Sequence, residues 1–93
     1  MPVGIIMLEI HLPHAHSLKE KRVVMRKLQY HLRARFNVSV AELDHQDLWQ
    51  RAVIGVAVFS LVHQQLESVL QKVESESERV LGGDLIGPEW KLY

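Results

Sequence analysis

The chain has 93 residues, 47% of them hydrophobic and 24% charged, with 11 basic and 11 acidic side chains cancelling to no net charge. That length suits one domain, residues 1–93, with one modest core, and the apolar fraction is too high for a disordered chain. The lack of cysteine excludes disulfides, thiolate catalysis and cysteine-ligated zinc.

Met1 to Leu12 carries Glu9 and His11 and lacks the basic-then-apolar order of a signal peptide. No run approaches the roughly 20 apolar residues of a membrane span, so a cytoplasmic protein with no membrane partner is the expectation. Charge is unevenly spread. Residues 1–35 hold seven cations against two acids, a surplus of +5, and residues 36–93 hold four against nine, a surplus of −5. Such a dipolar chain suits an anionic partner on one face or self-association of opposite faces.

In chain order, Val3 to Leu12 reads as a strand that Pro13 ends. Ser17-Leu18-Lys19-Glu20 predicts a helix start, with Ser17 capping free N–H groups and Glu20 returning a bond to the cap residue. The helix runs to about Arg35, with Leu18, Val24, Met25, Leu28 and Leu32 inward and Lys19, Arg22, Arg26, Lys27 and Arg33 outward or on the flanks. Phe36 is expected to reach back to the core. Asn37 to Leu43 predicts a second strand and Ala52 to Ser60 a third. The third is nearly all apolar and therefore central, with Gly55 marking a bulge or a close approach. Val62, Leu66, Val69, Leu70 and Val73 predict a second helix to about Arg79. Gly82-Gly83 breaks the chain before a last strand, broken or bent near Gly87-Pro88, that ends in Trp90, Leu92 and Tyr93.

The order β-α-β-β-α-β, with one apolar stripe per helix, predicts an α+β, ferredoxin-like sandwich: a four-stranded antiparallel sheet with two helices on one face. The other face would carry His11 beside apolar third-strand residues. It is expected to be covered by another subunit, a homodimer foremost, or by the C-terminal segment.

His11-Leu12-Pro13, Ser17-Leu18-Lys19-Glu20-Lys21-Arg22, Phe36-Asn37-Val38-Ser39-Val40-Ala41-Glu42 and Asp44-His45-Gln46-Asp47-Leu48-Trp49-Gln50-Arg51-Ala52 together resemble the DUF503, or YlxP-like, family of small bacterial proteins of unknown function. The likeness spans Val3 to about Val73. It implies a ferredoxin-like domain and, because some members are encoded beside translation and ribosome-maturation factors, an association with RNA or a ribosomal subunit. The family usually has glycine where this chain has His14, and commonly arginine where it has His16.

Three groups of residues are site candidates. Lys19, Lys21, Arg22, Arg26, Lys27 and Arg33 of the first helix, with Arg35 beyond, carry enough charge to contact phosphates, although no paired aromatic sheet motif or GXXG loop accompanies them. The polar break between the second and third strands holds Asp44, His45, Gln46, Asp47, Trp49, Gln50 and Arg51. It reads either as an interface or as a structural hairpin in which Arg51 pairs with an aspartate and Trp49 buries its ring. His14 and His16, on one face of an extended loop, with Asp44, His45 and Asp47, form a composite set for zinc, manganese or iron. His31 and His63 read as ordinary helix residues, and Tyr30 and Trp90 as half-buried packing residues. No cofactor is implied. The best reading is a non-enzymatic macromolecule-binding domain, with a small metal-dependent enzyme on Asp44, His45 and Asp47 or an oligomeric scaffold as alternatives.

Overall fold

Four strands and two long helices follow one another in a computed structural model that describes residues 2–44 and 48–93, Asp44 by its backbone alone. The elements are β1 (Val3–His11), α1 (Leu18–Arg35), β2 (Ser39–Asp44), β3 (Arg51–Phe59), α2 (His63–Leu81) and β4 (Leu85–Leu92), with a 3-10 turn at Gly82–Asp84. The strand order is β2-β3-β1-β4, and every neighbouring pair is antiparallel. This is the ferredoxin-like sandwich that the hydrophobic pattern predicts.

Period-two alternation builds the sheet. β1 buries Ile6, Leu8 and Ile10, and β3 buries Ala52, Ile54, Val56 and Val58, all towards the helices. Both helices supply an apolar stripe to that layer: Met25, Leu28 and Leu32 from α1, and Leu66, Leu70, Val73 and Leu81 from α2. Phe36 packs against this core, as expected.

The helix ends depart slightly from the sequence reading. The Ser17 hydroxyl accepts from the Glu20 N–H at 3.1 Å, as expected of a cap. The Glu20 carboxylate accepts from the His16 N–H at 2.6 Å, one residue before the cap residue assigned to it. Val62 lies outside α2 as its exposed N-cap. At the other end α2 continues past Arg79, because its inward stripe runs on through Ser77 and Leu81. The buried Ser77 hydroxyl is satisfied by donating to the Val73 carbonyl at 2.7 Å. Gly82, at φ 59°, ends the helix in the left-handed region that a side chain disfavours.

β4 is one continuous strand and not a broken one. Its irregularity is a register shift opposite Glu9 and Ile10, tolerable at an edge where Pro88 need not donate to a further neighbour. Being an edge strand, the C-terminal segment does not cover the open sheet face. Gly55 is a close approach rather than a bulge. The Leu43 side chain lies over it, and a Cβ there would sit 2.6 Å from Leu43 Cδ1. The bulge falls on β2 itself, between Glu42 and Asp44.

Candidate functional site

Helical geometry puts residues 19, 22, 26, 30 and 33 on one line along the outside of α1. Four of them are Lys19, Arg22, Arg26 and Arg33, the fifth is Tyr30, and Lys27 lies beside the line. All six are exposed. The only acid in α1 is Glu20, already bonded at the helix start. Lys19, Arg22, Arg26 and Lys27 make no ion pair among the described residues. Arg33 is partly engaged, donating to the Val40 carbonyl at 2.9 Å and so tying α1 to β2. Tyr30 is not the half-buried packing residue the sequence suggests. It is 69% exposed, since its position falls on the outer line, and its ring meets His31 edge-on with centroids 5.9 Å apart. Arg26, Gln29, Tyr30, Arg33 and Ala34 line a shallow hollow of about 420 Å³.

Lys21 does not belong to this surface, which corrects the sequence assignment. It is 2% exposed, and its ammonium donates to the Leu48 carbonyl at 2.8 Å and lies 3.2 Å from Glu42 Oε1. The signal was in the sequence. Positions 21, 25, 28 and 32 repeat at helical spacing, so Lys21 extends the inward stripe of Met25, Leu28 and Leu32. Its long side chain crosses the core edge to reach the end of the β2–β3 connection.

In that connection His45, Gln46 and Asp47, with the Asp44 side chain, lie outside the described residues, and so do the metal and hairpin assignments resting on them. Trp49 is 48% exposed, so its ring is only half covered and does not anchor the hairpin as expected. Arg51 pairs with Glu9 of β1 at 2.9 Å, because strand pairing sets Arg51 opposite His11 and diagonal to Glu9. Gln50 makes the structural link. Its carbonyl accepts from the Leu12 N–H at 2.8 Å, and its amide donates to the Pro13 and Ala15 carbonyls at 3.4 Å each. The hairpin is thereby tied to the loop carrying His14 and His16, both exposed. Among the described residues no group of three or more His, Asp or Glu could hold a metal ion.

One charge cluster was missed by sequence reasoning. Glu76 on α2 takes hydrogen bonds from Arg79, sits 3.1 Å from Arg35 Nε and lies 3.9 Å from His31 Nδ1. The Arg79 hydrogen bond, followed by the charges of Arg35, Arg79 and His31, holds its carboxyl below the usual carboxylate range, while burial opposes the shift. Arg35 is thus engaged with α2. Trp90 is half-buried, as expected, with its indole N–H donating to Glu74 at 2.9 Å. No described helix is long and apolar enough to cross a membrane.

The fold and this surface define a small ferredoxin-like domain with one basic helix. The chain belongs to the family described as "Protein of unknown function (DUF503)", whose model matches residues 3–86. It is 44% identical over 59 residues to the "Uncharacterized protein YlxP" of Bacillus subtilis (strain 168). That match covers 63% of this chain and 64% of the relative. Among solved structures, Rv0793 from Mycobacterium tuberculosis superimposes with a TM-score of 0.57 at 15% identity, over 100% of this chain and 93% of that one. A C-terminal segment of the alpha subunit of aIF2 from Pyrococcus abyssi gives 0.51 at 15% identity, over 99% of this chain but only 48% of the other. At these identities the likeness is one of fold.

Proposed function

We propose that this domain is a non-enzymatic, cytoplasmic RNA-binding protein that holds the phosphate backbone of single-stranded RNA, ribosomal RNA foremost, on the outer face of α1. One observation carries the reading: Lys19, Arg22, Arg26 and Arg33 share a single exposed line with Tyr30, and no acid interrupts it. Phosphate contacts supply affinity without reading sequence. Tyr30, flanked by two arginines, offers a base a stacking platform, which favours an unpaired strand over a duplex. The family's genetic neighbourhood points the same way.

The test is equilibrium binding to ribosomal RNA and isolated ribosomal subunits at low and near-physiological salt. With three or four phosphates engaged on a single strand, affinity is expected to fall about 20- to 50-fold between roughly 50 and 200 mM salt. Arg22→Ala and Arg26→Ala should each weaken binding for every sequence tried and flatten that salt dependence. Tyr30→Ala should weaken single-strand binding about tenfold and leave duplex binding nearly unchanged. Wild-type binding that is indifferent to all three changes would place RNA on another face. No binding even at low salt would refute the reading.

The proposal includes self-association, a dimer being favoured, because the sheet face opposite the helices presents apolar side chains to solvent.

A further inference from the structure

The register of the sheet fixes what lies on its open face. Ordered across the strands, successive rows are Phe59, Val3 and Tyr93; then Ser39, Ala57, Ile5 and Lys91; then Ala41, Gly55, Met7 and Glu89; then Val53 and Glu9. Leu43 folds over Gly55 from the β2 bulge. The centre of this face is therefore apolar, and among the described side chains the charges on or beside it, Glu9, Arg51, Glu89 and Lys91, sum to zero. A polyanion finds no net attraction here, whereas an identical face meets no net repulsion.

Two features of the relief match each other. Ala41 and Ala57 form a small-residue floor, walled by Ile5 and by Leu43 where it lies over Gly55, beneath a hollow of about 230 Å³. Two residues from Ala57 along the same face of β3, about 7 Å away, stands Phe59, 65% exposed. Its ring has the size and apolar character that such a hollow accepts.

We propose that a second copy of this chain covers the face, in a twofold sheet-on-sheet dimer in which each Phe59 seats in the partner's Ala41–Ala57 hollow. A twofold axis across the strands between Ala57 and Phe59 exchanges projection and hollow, so one contact is made twice, as an isologous interface requires. The area suffices. Strands of nine residues (β1, β3), eight (β4) and six (β2), abreast at about 4.8 Å, present roughly 500 Å² in projection, so pairing two faces removes about 1,000 Å² from water. Stacked sheets of this kind close at about 10 Å with side chains interdigitated. This inference rests on the self-association part of the proposed function and is independent of the RNA part.

The test is sedimentation equilibrium of the full chain over a wide concentration range, on wild type, Phe59→Glu and Ala41→Lys. Both substituted side chains are exposed in the single chain, so folding, checked by circular dichroism, should survive. The wild type is expected at twice its 10.7 kDa mass, dissociating on dilution. Each variant alone should dissociate about 100-fold more readily. Mixing the two should restore a mixed dimer, because one seat then pairs Glu with Lys and the other keeps Phe on Ala. A wild type that stays monomeric at every concentration overturns self-association altogether. A dimer insensitive to both substitutions leaves self-association standing and overturns this surface, and variants that dissociate but are not rescued by mixing overturn the seating of Phe59 on Ala41.

Discussion

At the scale of single residues the informative side chain is Lys21. Its ammonium is withdrawn from water and held by the Leu48 carbonyl and Glu42, so it ties α1 to the end of the β2–β3 connection. Lys21→Met keeps the apolar stem but leaves Glu42 and the Leu48 carbonyl without this donor. Urea denaturation should show a loss of about 2–3 kcal/mol, at the lower side of what breaking a buried pair costs because Glu42 is partly wet. The same variant should bind RNA as the wild type does at temperatures where it is folded. Glu76 makes a pH prediction. Its carboxyl lies below the ordinary value near 4.5 in the folded chain, so its contribution is complete above that value and is lost as pH falls through the lower, folded one. Glu76→Gln should therefore narrow the stability difference between about pH 3 and pH 7 measured by thermal unfolding, with little effect on where the helices lie. Residue type alone misled here. Lys21 reads as one more surface cation unless its helical phase is followed, and the Glu76 cluster joins residues of two helices that no local pattern connects.

At the scale of elements, the chain announces most of its structure. Alternating Ile6, Leu8 and Ile10, the Ser17 cap and the stripe through Leu66, Leu70 and Val73 are local signals, and each element forms where its signal lies. Element ends depend on longer reach. Helix α2 runs to Leu81 because Ser77 can satisfy its hydroxyl within the helix, which a hydropathy pattern cannot weigh. Its end is set by Gly82, so Gly82→Ala should destabilise the domain by about 1–3 kcal/mol, measured by urea denaturation, through the strain of a positive φ with ψ −133° and not through lost contact. The polar stretch around Trp49 stands out in sequence because it breaks two apolar runs. Its described residues make contacts within the fold. Gln50 ties it to the β1–α1 loop, and Arg51 is spent on Glu9.

At the scale of the whole molecule, the excess of cations in residues 1–35 becomes geography. Most of that charge sits on one helix, facing away from the sheet, while two of the four acids of α2 are drawn into Glu76–Arg35 and Glu74–Trp90 contacts beside it. The sheet's open face is nearly neutral and apolar at its centre. The two surfaces point in opposite directions, so sheet-on-sheet pairing leaves α1 of both copies accessible. The outward line on α1 was legible as a group of cations, but its continuity through Tyr30 depended on knowing which side of the helix met the core.

The most direct test of the account is nuclear magnetic resonance with isotope-labelled protein titrated by a short single-stranded RNA at near-physiological salt. Amide shifts and line broadening are expected between Lys19 and Arg33, strongest around Arg26 and Tyr30, with Ile5, Ala41 and Ala57 undisturbed. Perturbations confined to the open sheet face, or no perturbation at saturating RNA, would contradict it.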